Sequence, residues 1–159
     1  MTNPKVTKPT VSFKTDIYHH CYWLIENKLQ LLEESFRQSR EDLEKESKST
    51  AGDKHETGRA MIQLEQEKMS QQLLQTEKLL QALKQVPFKK KSHKVESGAL
   101  VQTSLGLLFI SVGLGETNLV NDKVYILAPS APLVQSLLGA EEGAQINFRK
   151  QVIDVYHIA

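Results

Sequence analysis

From Tyr18 onward, side chains of one face recur at alternating spacings of four and three: Tyr18, Tyr22, Ile25, Leu29, Leu32, Phe36, Ser39 and Leu43. A heptad seam with one polar member, flanked by Glu, Gln, Lys and Arg, marks a helix that buries a narrow stripe against another helix. The pattern resumes with Ile62, Met69, Leu73, Thr76, Leu80 and Leu83, more weakly because Gln66 and Thr76 stand at apolar positions. No proline interrupts either stretch. Between them Ser49, Thr50, Gly52 and Asp53 are turn chemistry, and glycine in a helix interior costs roughly 1 kcal/mol. The spacing predicts an antiparallel helical hairpin over residues 16–86 with its turn near 49–54. Two helices enclose no pocket, so the distinctive feature of such a hairpin is its tip.

Glycine and charge divide the rest of the chain. Before Pro87 the only glycines are Gly52 and Gly58, whereas six follow from Gly98 onward. From Val95 to the end, only Lys123, Arg149 and Lys150 are basic, against six acidic residues. Pro87 stops a helix, and the run KKKSHK at 89–94 reads as an exposed basic linker spanning 87–94. Residues 1–15 are polar and read as a flexible N-terminal segment. After the linker the period shortens. LVQTSLGLLFISV, VYILA, QINF and QVIDVYHI are rich in β-branched and aromatic residues, as strands are. SAPLVQSLLG has Pro132 placed for a first helical turn and Gly139 for a stop. The expected class is α+β: a hairpin, then a small antiparallel-sheet domain over 95–159 with one short helix. About 65 residues make a marginal core, so this domain should lean on the base of the hairpin, where Tyr22 and Trp23 are expected to pack.

Composition excludes several functions. With 40% hydrophobic residues and a net charge of +1, the chain is not generally disordered. A single cysteine, Cys21, excludes a disulfide scaffold and suits a reducing compartment. No apolar run reaches the ~18 residues of a membrane span, and the start lacks a secretory signal, so a cytoplasmic protein with no membrane partner is expected. His19, His20 and Cys21 are adjacent on a helix and do not face one another; Cys21 reads as core. GLGE at 113–116 lacks the lysine and following helix of a phosphate loop. No Ser/His/Asp or Cys/His arrangement for nucleophilic attack is apparent.

At the tip, Asp53 and Glu56 stand three residues apart, on one side of the first turns of the second helix. One reading is capping: Asp at the N-cap with Glu at N3 forms a capping box and suits the positive helix end. The other is chemical: two carboxylates at the end of a long hairpin are hard ligands suited to Mg²⁺, which takes one or two protein carboxylates and completes its shell elsewhere.

The stretch Gly52-Asp53-Lys54-His55-Glu56 resembles the acidic tip of the Gre-type bacterial transcript-cleavage factors, transcription elongation proteins with Gly-Asp-x-x-Glu at the turn of an N-terminal hairpin. SAPLVQSLLGAEEG at 130–143 is similar to the Ser-Pro, short-helix, Leu-Gly segment of that family's FKBP-like C-terminal domain. QINFRKQVIDVYHI resembles its closing strand pair. The resemblance implies a monomeric factor that is not itself an enzyme and counts among DNA-binding transcription proteins. The globular domain would bind the RNA polymerase core at its secondary channel, with Ser130, Pro132, Leu133, Leu137 and Gly139 in the partner-binding segment. Asp53 and Glu56 would help hold a second Mg²⁺ shared with the polymerase and orient the water that cuts the 3′ end of backtracked RNA, in a two-metal hydrolysis. No cofactor would be bound by the factor alone.

The chain departs from the family at Thr57, Gly58, Arg59 and Ala60, where Asn-Ala-Glu-Tyr is usual, and at Ala140, where the family has lysine. The basic patch of some members has its counterpart here only in Lys89, Lys90, Lys91 and Lys94, candidates for a weak nucleic-acid contact; a lysine run at a linker otherwise reads as solvated. The departures keep open a secondary-channel regulator that does not cleave, and a coiled-coil adaptor for another protein.

Overall fold

Thr10 starts the first helix. Its hydroxyl accepts the Phe13 N–H at 3.0 Å, satisfying one of the donors that a first turn leaves over, and α1 runs from Val11 to Lys48. The computed structural model describes residues 7–48, 52–119 and 121–159, without the side chains of 53–55. The flexible segment expected through residue 15 needs correction. Residues 11–15 are helical, Pro9 is buried, and Thr7 donates its N–H and hydroxyl to the Asp122 carboxylate at 3.1 and 2.6 Å. Residues 1–6 lie outside the described residues.

The second helix, α2, covers Gly52–Lys84. Of the turn expected near 49–54, residues 52–54 already belong to α2, and 49–51 lie outside the described residues. The chain divides into two units, one of Trp23–Leu80 and one of Met1–Tyr22 with Gln81–Ala159.

In the first unit α1 and α2 run antiparallel. A Cβ on Gly58 would lie 3.6 Å from Glu46 Oε2; Gln66 shares a cleft with Phe36 and Leu43; Met69 shares another with Leu31. Numbers rise on one helix as they fall on the other. The heptad seam is the buried or half-buried face on both helices, from Ile25 through Ser39 and from Ile62 through Thr76. Trp23 is a correction. It stands one residue off that seam, about 100° around the helix from Tyr22, and is 60% exposed.

The second unit is built on one six-stranded sheet. Its strands are β1 (Leu100–Thr103), β2 (Gly106–Ile110), β3 (Gly115–Leu119), β4 (Asp122–Leu127), β5 (Gln145–Phe148) and β6 (Gln151–Ile158). A short helix, α3 (Pro132–Leu137), lies between β4 and β5. The order across the sheet is β3-β4-β2-β1-β6-β5. The α+β class is as expected, but the sheet is mixed rather than antiparallel. The chain leaves β2, forms the edge strand β3, and returns as β4 beside β2, with Leu107 opposite Val124 and Ile110 opposite Leu127 in parallel register.

One face of the sheet packs Val101, Leu108, Ile110, Ile153 and Val155 against Val134 and Leu137 of α3. The alternate residues Leu100, Leu107, Phe109, Val124 and Ile126 are fully buried as well, so both faces are covered. Among the described residues, Lys14, Ile17 and Cys21 of α1 and Leu83 of α2 are the fully buried helical residues of this unit besides those of α3.

In the segment 87–94 the lysines are exposed, while Phe88 and Ser92 anchor it to the unit. Phe88 stacks on Tyr18 with ring centroids 3.7 Å apart, Ser92 is buried, and Val95 exchanges backbone bonds with Gly139 and Ala140 at 2.9 and 2.8 Å. Gly98 makes this possible. With φ at +90°, a Cβ there would fall 2.1 Å from the Pro87 carbonyl oxygen, so no other residue permits the approach.

Candidate functional site

The acidic pair stands in the opening turns of α2. Because α2 begins at Gly52, Asp53 lies inside the first turn rather than at the N-cap. A carboxylate in that turn is still favoured by the helix dipole. Glu56, one turn further on, is exposed, as are Thr57, Arg59 and Ala60. The side chains of Asp53 and His55 lie outside the described residues. Among the described residues no group of three or more His, Cys, Asp or Glu side chains is placed to hold a metal ion. What the helix contributes here is one solvent-facing carboxylate at Glu56, with Arg59 on the same side three residues on.

The residues expected from the resemblance to meet a partner divide by depth. Ser130 and Pro132 are exposed, Pro132 opening α3 where its missing N–H costs nothing. Gly139 ends the helix at φ +82° and is exposed. Leu133 is half-buried against the core and Leu137 is wholly buried. Leu137 can shape this surface only from beneath. Leu138, which sequence patterning did not single out, is its exposed apolar side chain.

The lysines of 89–94 do not form one surface. Lys89 and Lys90 face a groove shared with Lys84. Lys91 lines a shallow depression with Glu141 and Glu142, and Lys94 forms a backbone bridge to Glu141. Glu142 Oε1 accepts the Ile158 N–H at 2.9 Å and lies 4.0 Å from His157 Nδ1. That backbone bond, with His157, Lys91 and Lys8 nearby, holds its carboxyl below the usual range.

His19, His20 and Cys21 part company as expected of neighbours on a helix. His19 stands edge-on to Phe88, His20 Nε2 lies 2.9 Å from Thr117 Oγ1 on β3, and Cys21 is buried, which pushes its thiol up to about 12. Sequence patterning also missed Lys14. It is wholly buried, and its Nζ donates to the Lys90 carbonyl at 2.6 Å. Burial pulls its ammonium below the ordinary lysine range, partly opposed by Glu96. Its position three residues before Ile17 was the available signal, since i and i+3 share a helix face. Among the described residues no helix is long and apolar enough to cross a membrane.

No protein-family model matches this chain, and neither a curated protein nor a solved structure matches it.

Proposed function

We propose that this protein is a Gre-type transcription elongation factor: it binds the RNA polymerase core through its sheet unit, which has an FKBP-like fold, and delivers Asp53 and Glu56 to the polymerase active site. The observation that carries the reading is the place of the acidic pair. Gly52–Glu56 opens the second arm of an antiparallel helical pair, with Glu56 facing solvent. The polymerase would supply the remaining ligands of a shared Mg²⁺, and that ion would supply charge stabilisation and an activated water. The factor's own part is positioning and two negative charges. Ser130, Pro132 and Gly139 would meet the polymerase, Leu133 and Leu137 would hold their shape, and of the lysines at 89–94, Lys91 and Lys94 would add a long-range attraction for nucleic acid. The factor would act as a monomer in the cytoplasm, without catalysis of its own.

A second reading is a secondary-channel regulator that does not cleave. It is favoured by Arg59, an exposed cation on the same side of α2 as Glu56. One experiment separates the two. Stalled, backtracked polymerase complexes are mixed with the wild-type protein and with Asp53→Asn and Glu56→Gln, and RNA cleavage and polymerase binding are measured together. The cleavage reading expects both amides to bind polymerase like the wild type and to cleave at least tenfold more slowly, with partial rescue by raised Mg²⁺. Equal cleavage by wild type and variants removes the catalytic role. Binding without cleavage by the wild type leaves the regulator, and no binding leaves a coiled-coil adaptor.

A further inference from the structure

An open groove of about 890 Å³ lies between the first turns of α1 and the stretch Lys84–Lys90. Its walls are apolar: Val86, Pro87 and the rings of Phe88 and Tyr18. Its charges have one sign. Lys84, Lys89 and Lys90 are exposed at it, and among the described residues no carboxylate lines it. A site with three cations and no acid selects an anionic occupant, and its apolar walls select one with something to bury.

The backbone of this wall is held in place from two directions. Lys14, buried beneath, donates to the Lys90 carbonyl at 2.6 Å, and Gly98 lies so close to the Pro87 carbonyl that no side chain fits between. A wall fixed before binding loses little entropy when it is occupied. The rings indicate what enters. Phe88 and Tyr18 stack on each other at 3.7 Å and 12°, Lys89 Nζ lies 6.0 Å over the Phe88 ring, and His19 stands edge-on to both rings. The rings are spent on one another rather than offered as open platforms, which single-stranded nucleic acid requires for its bases. Thr15, the hydroxyl at the rim, already donates to the Val11 carbonyl at 2.8 Å.

We propose that this groove docks an acidic peptide segment of a protein partner, with one apolar side chain seated against Val86, Pro87 and Phe88 and flanking carboxylates on Lys84, Lys89 and Lys90. This site is separate from the tip and stands or falls independently of transcript cleavage.

The test uses the full chain and fluorescence anisotropy with synthetic 12-residue peptides of Glu and Asp carrying Leu, Phe, Trp or Ala at the centre. A lysine-rich counterpart and a 12-nucleotide oligouridylate complete the set. The expected result is that at least one apolar-centred acidic peptide binds tenfold or more tightly than its alanine-centred partner, and that the lysine-rich peptide does not bind. The triple variant Lys84→Gln/Lys89→Gln/Lys90→Gln should lose at least tenfold in affinity. Thr15→Phe, which obstructs the groove and leaves every lysine in place, should lose as much, with helical circular dichroism confirming both folds. Indifference to the central residue, or unchanged affinity in both variants, overturns the proposal. Tighter binding of the oligouridylate reassigns the lysines to nucleic acid. Self-association of the free protein that is abolished in the triple variant assigns the groove to a second copy.

Discussion

The sheet unit and the helical pair are stabilised in different ways. Leu100, Leu107, Phe109, Val124 and Ile126 are wholly buried on one sheet face and Val101, Ile110 and Ile153 on the other. Between Trp23 and Leu80, by contrast, the buried residues among those described are Ile25, Ser39 and Thr76, two of them polar. The rest of that seam is half-buried, as in any pair of helices with solvent on both flanks. The difference teaches where each kind of information resides. The sheet unit is specified by complementary packing, in which single methylenes matter. The helical pair is specified by period and length, which tolerate substitution.

A large-to-small substitution in each unit tests that contrast most strongly. Phe109→Ala should cost about 3–5 kcal/mol, the usual toll of a cavity at a fully buried aromatic, enough to unfold a domain of ordinary stability. Leu32→Ala, on the half-buried seam, should cost under about 2 kcal/mol because solvent or neighbours can fill the space. Urea denaturation measures both. Equal costs would mean that the helical pair is packed as tightly as the sheet.

High pH offers a second contrast, because the groups with raised or lowered proton affinity through burial are in the sheet unit. The Cys21 thiol is pushed up to about 12 from its ordinary 9.0 by burial, so between those values the unfolded chain loses a proton that the folded one keeps. Stability should therefore fall as pH rises above 9, by up to about 1.4 kcal/mol per pH unit. Tyr18, raised by burial with Tyr22 and Cys21 adding, acts in the same direction. Lys14 acts in the opposite one: its lowered affinity makes folding more favourable as pH approaches 10.5. Cys21→Ala should flatten the fall and Lys14→Met should steepen it. Identical slopes in all three proteins between pH 9 and 11 would refute this account.

The seam, the helix period and the boundary after Pro87 were legible because each is a local pattern. Thr10 was legible in principle too, as a threonine ahead of a helix, but the polar residues around it masked the start of α1. β3 was not legible. Gly115–Leu119 is a polar edge strand with little buried surface, so it carries no alternation, and without it the parallel pairing of β2 with β4 could not be foreseen. The lysine run is exposed, as a run of lysines suggests; what the pattern did not show is that the backbone beneath it is tied down by Lys14 and Gly98, which are distant in sequence. At the tip the types and spacing of Asp53 and Glu56 were plain, while the start of α2 depends on a one-residue difference that periodicity does not fix.

The polar members of the seam sharpen the comparison in the other direction. Ser39 Oγ and Gln66 Nε2 are buried, without a hydrogen-bond partner, on facing stretches of α1 and α2. An unsatisfied buried polar group costs about 1–3 kcal/mol, and an apolar residue in its place removes that penalty. Ser39→Ala with Gln66→Leu should therefore stabilise the helical pair by about 1–2 kcal/mol, read as a raised urea midpoint with unchanged m-value. Loss of stability would show that the polar layer makes bonds in solution and fixes the register of the two helices.

The smallest expected effect lies at the end of β6, where a side-chain carboxylate on the surface accepts a backbone N–H of the packed strand. Glu142 is half-exposed, and its Oε1 accepts the Ile158 N–H. Its carboxyl is held below its ordinary value by that bond first, then by His157, Lys91 and Lys8, against a smaller opposing effect of burial. A carboxylate with lowered proton affinity contributes stability at pH above its unfolded value near 4.5, and that contribution fades as pH falls through the folded value. Solvent screening limits it to under about 1 kcal/mol. Glu142→Gln keeps an acceptor for Ile158 and loses only the charge, whereas Glu142→Ala loses both. Amide exchange at Ile158 should consequently be little changed by glutamine and faster with alanine. Acidification below about pH 4 should lower its protection factor in the wild type more than in the glutamine variant. If glutamine opens the Ile158 amide as far as alanine does, the charge rather than the hydrogen bond holds this strand end.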